Sequence, residues 1–335
     1  MAEQPNSYLT LADLYKRQQN AGTKQLANII NMMAKVNPIM EDVPILEANS
    51  GNTHKTTRTI QLPQVHWKNV AEATEPSKSG TEQVEDGTGL MEAWSEVPDD
   101  LVKISADGKK LRLDEAQTFI EAMSQEFART FFYGSKKTNP KQFDGVFTRF
   151  SQLASSGEGA QILDAGGTGL DNTSIFLGVW SERNGHLIYP KGTKAGLERK
   201  DMGLKSKDDG GKKLLVWEEM FQQHVGLTIR KPNEFCRIAN IDVSDLTRDA
   251  SSGANLMSLL IDAYYLLNAR MHGDARAVIY CNTTVKQFLH HQMINANGNV
   301  TMGMDEVAGK EVMKLLEMPI RECEGIINNE AQVTA

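Results

Sequence analysis

Between Asn52 and Val102 the chain carries two extended segments, Lys55–Val70 and Gly89–Lys103, each with few apolar residues. The polar connection Ala71–Thr88 joins them. Each arm would span roughly 50 Å at ~3.3 Å per residue, against ~5–6 residues for an average strand. A ribbon this long and this polar cannot fold onto a core of its own. An isolated two-stranded ribbon is marginal in water, so this one is expected to pack on another molecule, the plainer alternative being an ordinary hairpin with a flexible tip.

Helical periodicity is strongest over Glu115–Tyr133. Ala116, Phe119, Ile120, Met123, Phe127 and Phe131 recur at spacings of three and four and form one stripe. Phe119, Ile120, Met123 and Phe127 are therefore the predicted core of this helix. Asp114 suits its N-cap, Gln117 a capping box and Gly134 its C′ position. Upstream, Leu11–Gln19 behind Thr10 and the face Leu26, Ile29, Ile30, Met33 behind Thr23 read as short helices of an arm, ended by Pro38 and Pro44. Helices this short need a surface to dock on.

Further on, Thr173–Trp180, His186–Pro190, Leu214–Ile229 and Phe235–Ile241 read as strands. An Arg-Asn-Gly turn follows the first and Pro232-Asn233 precedes the last. Lys200–Lys213 is charged and Gly-containing and reads as a mobile segment. Asn255–Ala269 and Val285–Met293 read as helices and Ala277–Cys281 as a short strand. Asp305–Leu316 is predicted to be a last helix and Gly325–Asn328 a last strand. Strands and helices without a regular βαβ alternation indicate an α+β chain.

At 335 residues, 40% hydrophobic and 24% charged, the chain is globular and long enough for more than one domain. A net charge of −7 argues against general affinity for nucleic acid. Cys236, Cys281 and Cys323 are odd in number and far apart, with no C-x-x-C pair. They indicate neither a disulfide framework nor a zinc site, but thiols buried in a reducing compartment. The N-terminus has no basic segment followed by an apolar run, so no secretory signal is expected. No apolar run approaches the ~18 residues that would span a membrane.

Candidate chemistry is sparse. Ala165-Gly-Gly-Thr-Gly resembles a phosphate-cradling loop, but the glycines precede a strand instead of opening a helix, and no Lys-Ser/Thr follows. It reads as a flexible joint. His290 and His291 are adjacent on a helix, so they point about 100° apart and cannot share a metal as an i, i+4 pair does. Asp99-Asp100 and Asp208-Asp209 read as solvated charge, and no Gly-x-Ser-x-Gly elbow exists. No catalytic, cofactor-binding or metal-binding residue is expected, and no cofactor.

The order of elements and several local runs resemble the major capsid proteins of tailed bacteriophages, with the Hong Kong 97-like fold. The runs are Met91-Glu-Ala-Trp-Ser-Glu-Val, Leu113-Asp-Glu-Ala-Gln-Thr-Phe-Ile-Glu-Ala-Met, Phe132-Tyr-Gly with Asn139-Pro-Lys-Gln-Phe, and Asp164-Ala-Gly-Gly. Asp171-Asn-Thr-Ser-Ile, Tyr189-Pro-Lys-Gly-Thr-Lys-Ala-Gly-Leu and Arg237-Ile-Ala-Asn-Ile-Asp continue the series. No one of them is diagnostic, but their colinear order is specific, and it is most similar to short-tailed phages.

The resemblance implies an N-terminal arm (1–48), an extended hairpin loop (49–104) and a peripheral domain with a spine helix (105–160, completed by later strands). A mainly axial domain (161–315) and a C-terminal strand and tail (316–335) follow. It implies that the loop and arm contact neighbouring subunits, with Trp67, Lys68, Glu75, Lys78, Trp94, Leu26 and Ile30 as contact residues. It implies copies of the chain itself as the main partner, in pentamers and hexamers of a closed icosahedral shell. A portal protein, a cement or decoration protein and packaged double-stranded DNA held by weak non-specific contact are the others. The chain has no room for a long N-terminal scaffolding segment, so a separate scaffolding protein is expected. The location would be the virion, assembled in the host bacterial cytoplasm. Two rival readings are a cellular nanocompartment shell of the same fold and a nucleotide-dependent soluble enzyme built on Gly166–Gly169.

Overall fold

Two sheets and one long helix organise the chain. The computed structural model describes residues 37–334 other than 106, 210, 248–253, 268–274, 296–301 and 308–309. Strands β1 (Ile45–Glu47), β2 (Thr53–Gln61), β3 (Gly80–Pro98), β6 (Gly185–Tyr189) and β8 (Lys212–Ile229) form one sheet in the order β1-β6-β8-β3-β2. Strand β7 (Leu197–Asp209) joins it by pairing with β8. The second sheet contains β4 (Ile162–Asp164), β5 (Asn172–Trp180), β9 (Phe235–Asp242), β10 (Arg276–Cys281), β11 (Met302–Val307), β12 (Lys310–Leu315) and β13 (Met318–Glu322). Its order is β11-β12-β13-β10-β5-β9-β4. The helices are α1 (Ile39–Asp42), α2 (Asp99–Ile104), α3 (Gly108–Tyr133), α4 (Val146–Arg149), α5 (Leu256–Leu266) and α6 (Thr283–Asn295).

Every residue of β5 is buried because the second sheet is covered on both faces. Side chains alternate across a strand. Phe176 and Trp180 therefore enter an aromatic core with Phe127, Phe131 and Phe132 of α3, Phe235 and Tyr280. Ile175, Leu177 and Val179 enter a second, aliphatic core beneath α5 and α6 with Leu256, Leu260, Ile279 and Leu289. The same alternation divides β9, where Phe235 and Ala239 face α3 while Cys236 and Ile238 face α5. The three cysteines are buried free thiols, and burial pushes each of them up to about 12.

Helix α3 starts earlier than its periodicity suggests. Asp107, not Asp114, caps it, accepting a hydrogen bond from the Lys110 backbone at 3.0 Å. Gly134 ends it, but with φ −55, so its glycine is not there for a left-handed turn. A Cβ at that position would lie 2.5 Å from the carbonyl oxygens of both Phe143 and Thr130, so the requirement is space.

Ile120 departs from its predicted core position and is 38% exposed. Met123, Phe127 and Phe131 are buried on the same side of the helix. Residues 37–43 cover that side from Ser124 onward, where Asn37 donates to the Ser124 hydroxyl at 3.5 Å. Ile120, one turn earlier, lies beyond that cover and keeps 38% of its surface exposed.

Other local predictions also give way to pairing. Lys200–Lys213 is not a mobile segment, because most of it belongs to β7 and its ladder with β8. Asp305–Leu316 is not a helix but parts of β11 and β12, paired antiparallel from Met302↔Leu315 to Val307↔Lys310. Gly325–Asn328 is not a strand, since the last strand ends at Glu322. Short apolar runs do not distinguish helix from strand by periodicity, and a neighbouring strand decides. Leu26 and Ile30, with the rest of the predicted arm up to residue 36, lie outside the described residues.

Candidate intersubunit surface

The long hairpin exists, with different bounds from those the sequence suggests. Strands β2 and β3 pair from Thr53↔Gly87 to Gln61↔Gly80, with an irregularity between Thr59 and Gln61. The ladder stops before Pro63, which has no N–H to donate. Residues 62–79 then form the tip without regular structure, and the second arm starts at Gly80, not Gly89. Beyond Gly87 strand β3 turns back into the subunit and pairs with β8 from Thr88↔Gly226 to Pro98↔Val216. Asp99–Ile104 is helix α2, so the predicted arm Gly89–Lys103 ends inside the subunit. The projecting part is therefore residues 53–87.

The root of the hairpin is bolted to the subunit by buried polar groups. Asp86 of β3 accepts from Arg149 of α4 at 2.8 Å and from the Thr228 hydroxyl of β8 at 2.6 Å. His54 of β2 lies edge-on to His186 of β6, with ring centroids 5.5 Å apart. Arg230 reaches the His54 Nε2 at 3.0 Å. Burial and the Arg230 guanidinium both lower the pKa of His54. Burial, then Arg230 and His54, lower that of His186 to about 4. Gly226 lets β3, β6 and β8 meet here, since a Cβ on it would lie 2.7 Å from the Gly87 carbonyl oxygen.

A second ribbon, β7–β8, is tied to α3. Glu219 is 3% exposed and accepts from Arg112 of α3 at 2.5 Å and from Arg199 of β7 at 2.6 Å. Arg112 also reaches Asp201 at 2.7 Å and lies 4.7 Å from the Trp217 ring centroid. The Arg112 hydrogen bond is the main cause that lowers the Asp201 pKa.

The tip contrasts with both roots. Trp67 is 103% exposed, Val70 101%, Val65 90%, Leu62 79% and Ile60 66%. Isolated exposed apolar residues are ordinary, but five large ones within eleven positions are not. The tip is held to itself by polar contacts: Ser77 donates to the Gln64 carbonyl at 2.8 Å, and the Asn69 backbone to Glu72 at 2.9 Å.

Of the predicted contact residues, Trp67, Lys68, Glu75 and Lys78 come together on this exposed tip. Trp94 does not. It sits on the paired part of β3, 39% exposed, with its indole N–H donated to Glu92 at 2.6 Å. The apolar residues Leu62, Val65 and Val70 were missed. Their signal is the run Leu-Pro-x-Val-x-Trp-x-x-Val, which is too irregular for a strand face yet too apolar for a solvated turn.

The glycine loop after Asp164 is no phosphate cradle. The Gly166 backbone donates to the Asp164 carboxylate at 2.9 Å, and the Gly167 backbone to the Asn240 carbonyl at 2.8 Å. A Cβ on Gly169 would lie 2.7 Å from Asp242 and 2.8 Å from Asp171. Its amides are used internally and its surroundings are anionic. These contacts fix the loop against β9, so it is not the flexible joint that its composition suggests. Among the described residues, no helix is long and apolar enough to cross a membrane, and no cluster of three or more His, Cys, Asp or Glu could hold a metal ion.

The family model described as major capsid protein GP7 matches residues 21–334. A chain in the near-atomic structure of bacteriophage Epsilon15 is 31% identical, with 100% of both chains covered and a TM-score of 0.79. The capsid of bacteriophage JBD30 is 11% identical over 84% of this chain and 89% of its own, with a TM-score of 0.48. An encapsulin from Synechococcus elongatus is 10% identical over 69% and 96%, with a TM-score of 0.46. These last two likenesses are too faint to carry an argument. No curated protein matches the chain. The projecting hairpin, the long helix packed on a sheet, the family match and the full-length similarity to the Epsilon15 chain agree: this chain belongs to the GP7 family of major capsid proteins, a shell subunit with the Hong Kong 97-like fold.

Proposed function

We propose that the chain builds a closed icosahedral shell from pentamers and hexamers of itself, around packaged double-stranded DNA, and that its role is structural and not enzymatic. The observation that carries this reading is the tip 62–79, which presents Leu62, Val65, Trp67 and Val70 to solvent on a rigidly rooted hairpin. Burying that surface is worth ~25 cal/mol per Å², and a closed shell repeats the contact at every subunit. The net charge of −7 suits a container that does not grip its nucleic acid tightly.

The division into arm (1–48), extended loop (49–104, which projects only as far as Gly87 before β3 joins β8), peripheral part (105–160), axial part (161–315) and C-terminal strand and tail (316–335) belongs to the same proposal. So do a portal protein, a separate scaffolding protein, a cement or decoration protein and assembly in the host cytoplasm before residence in the virion. Co-purification from cells that express the chain with its neighbouring genes tests the partner set. A separate scaffolding protein is expected in immature particles and not in mature ones. Closed, uniform particles formed without any second protein would overturn the scaffolding part.

A further inference from the structure

A cleft of about 380 Å³ lies between β3 and α3 and begins at Gly89, two residues past the end of the hairpin ladder. Met91, Ala93, Phe119, Ala122, Met123 and Val225 give it an apolar lining. Its size is at the lower end of the ~300–1,000 Å³ typical of clefts that enclose organic groups. Glu92 and Glu126 also line it, with Lys141 as the one ammonium group among its residues. Leu90, 47% exposed, continues the apolar surface along β3.

The geometry points to this cleft as the seat of Trp67 from a second copy of the chain. The inference rests on the shell reading above and adds the receiving surface to it. Three observations select the occupant.

The first is supply. Trp67 is 103% exposed and flanked by Val65 and Val70, so the same chain that has an empty apolar cleft also presents a large unburied aromatic group. Tryptophan is among the residue types most enriched at the energetic anchors of protein interfaces, which sit in well-packed, desolvated pockets.

The second is charge. Lys68 adjoins Trp67 and meets the two carboxylates, Glu92 and Glu126. Glu75 of the same tip can face Lys141. Complementary charge at the rim sets register and suppresses wrong partners more than it adds affinity.

The third is reach. From Gly80 to Gly89, strand β3 runs roughly 30 Å at ~3.3 Å per residue. The chain from Gln61 to Trp67 extends about 22 Å at most, at ~3.6 Å per residue. These lengths leave about 8 Å or more between Trp67 and Gly89, and Trp67 is fully exposed in its own subunit, so a second copy must supply it to the cleft.

The test replaces Trp67 with the photoreactive p-benzoyl-phenylalanine (Trp67→Bpa), an aromatic group that costs the fold nothing at a fully exposed position. Shells are co-assembled from this variant and excess wild-type chain, irradiated, digested and read by mass spectrometry. The expected product joins position 67 of one copy to Met91, Ala122 or Met123 of another. Attachment to a different segment, or none between copies in well-formed shells, overturns the inference and leaves the shell reading intact. If the wild-type chain forms no shells even with its scaffolding partner present, both fall together. A second variant, Ala122→Trp, fills the cleft from the exposed side of α3. The expected result is a subunit with unchanged melting temperature and at least a tenfold loss of inter-copy product. An undiminished product in that variant contradicts the cleft as the seat.

Discussion

Arg237 of β9 donates to Glu330 of the C-terminal tail at 2.8 Å, and both side chains are buried. Around this pair the Ser174 hydroxyl and the Tyr133 hydroxyl also donate to Glu330, and Arg237 stacks 4.2 Å from the Phe147 ring centroid. The tail is thereby fastened under the long helix, where Cys323, Ile326 and Val333 complete the aromatic core. Removing one member of a buried ion pair strands the other, at a cost of about 3–5 kcal/mol. Glu330→Ala should lower subunit stability by that amount in urea denaturation, and Glu324→Ala, on the same tail, by less than ~0.5 kcal/mol. Equal midpoints for the two variants would show that the pair does not hold the tail.

The long helix gives a second contrast. Phe127 is 2% exposed in the aromatic core, while Ile120 is 38% exposed two turns earlier. Phe127→Ala should cost about 3–5 kcal/mol and impair folding itself. Ile120→Ala should change the stability of the free subunit by under ~1 kcal/mol. Calorimetry on unassembled subunits separates them, and a normal melting temperature for Phe127→Ala would refute the placement of the core.

The hairpin root should be sensitive to acid. His186 is fully buried, with a pKa lowered to about 4, and that of His54 is lowered too. Both groups stay neutral in the fold and would take up protons on unfolding below about pH 6.5, the ordinary histidine value. The unfolded state therefore binds more protons between about pH 6.5 and 4, so stability is full above that window and falls as the pH drops through it. Between pH 7.5 and 4.5, His186→Phe should show a shallower loss of stability than the wild type. Parallel curves would mean that His186 does not titrate against the fold.

Much of this was legible in the residues, for physical reasons that differ by element. Phe119 to Phe131 recur with the helical period because one side of α3 meets a core. Thr173–Trp180 read as a strand because both faces of β5 are covered. Lys200–Lys213 misled because its charges are paired across the sheet, as in Lys205–Glu218 at 2.5 Å and Lys207–Glu96. A sequence does not show that such charges have partners. Ile120 misled because periodicity marks a potential face but not where the cover begins. Trp94 misled because β3 serves two purposes, ribbon up to Gly87 and sheet strand after it, with no break in its pattern. The apolar tip residues went unread because they satisfy nothing within one subunit.

The tip should be dispensable for folding and essential for assembly. Replacing residues 64–77 with a Gly-Asn turn removes Val65, Trp67 and Val70, which bury nothing in the subunit. The variant should keep its circular dichroism spectrum and melting temperature. Loss of secondary structure would place the tip in the subunit's own core.

Electron microscopy of the purified, concentrated full-length protein, with its scaffolding partner where one is required, tests the central claim most directly. The expected result is closed icosahedral particles whose density shows residues 53–87 of each subunit lying across a neighbour and Trp67 buried there. Monomers or open aggregates at high concentration, or shells in which the hairpin stays exposed, would contradict it.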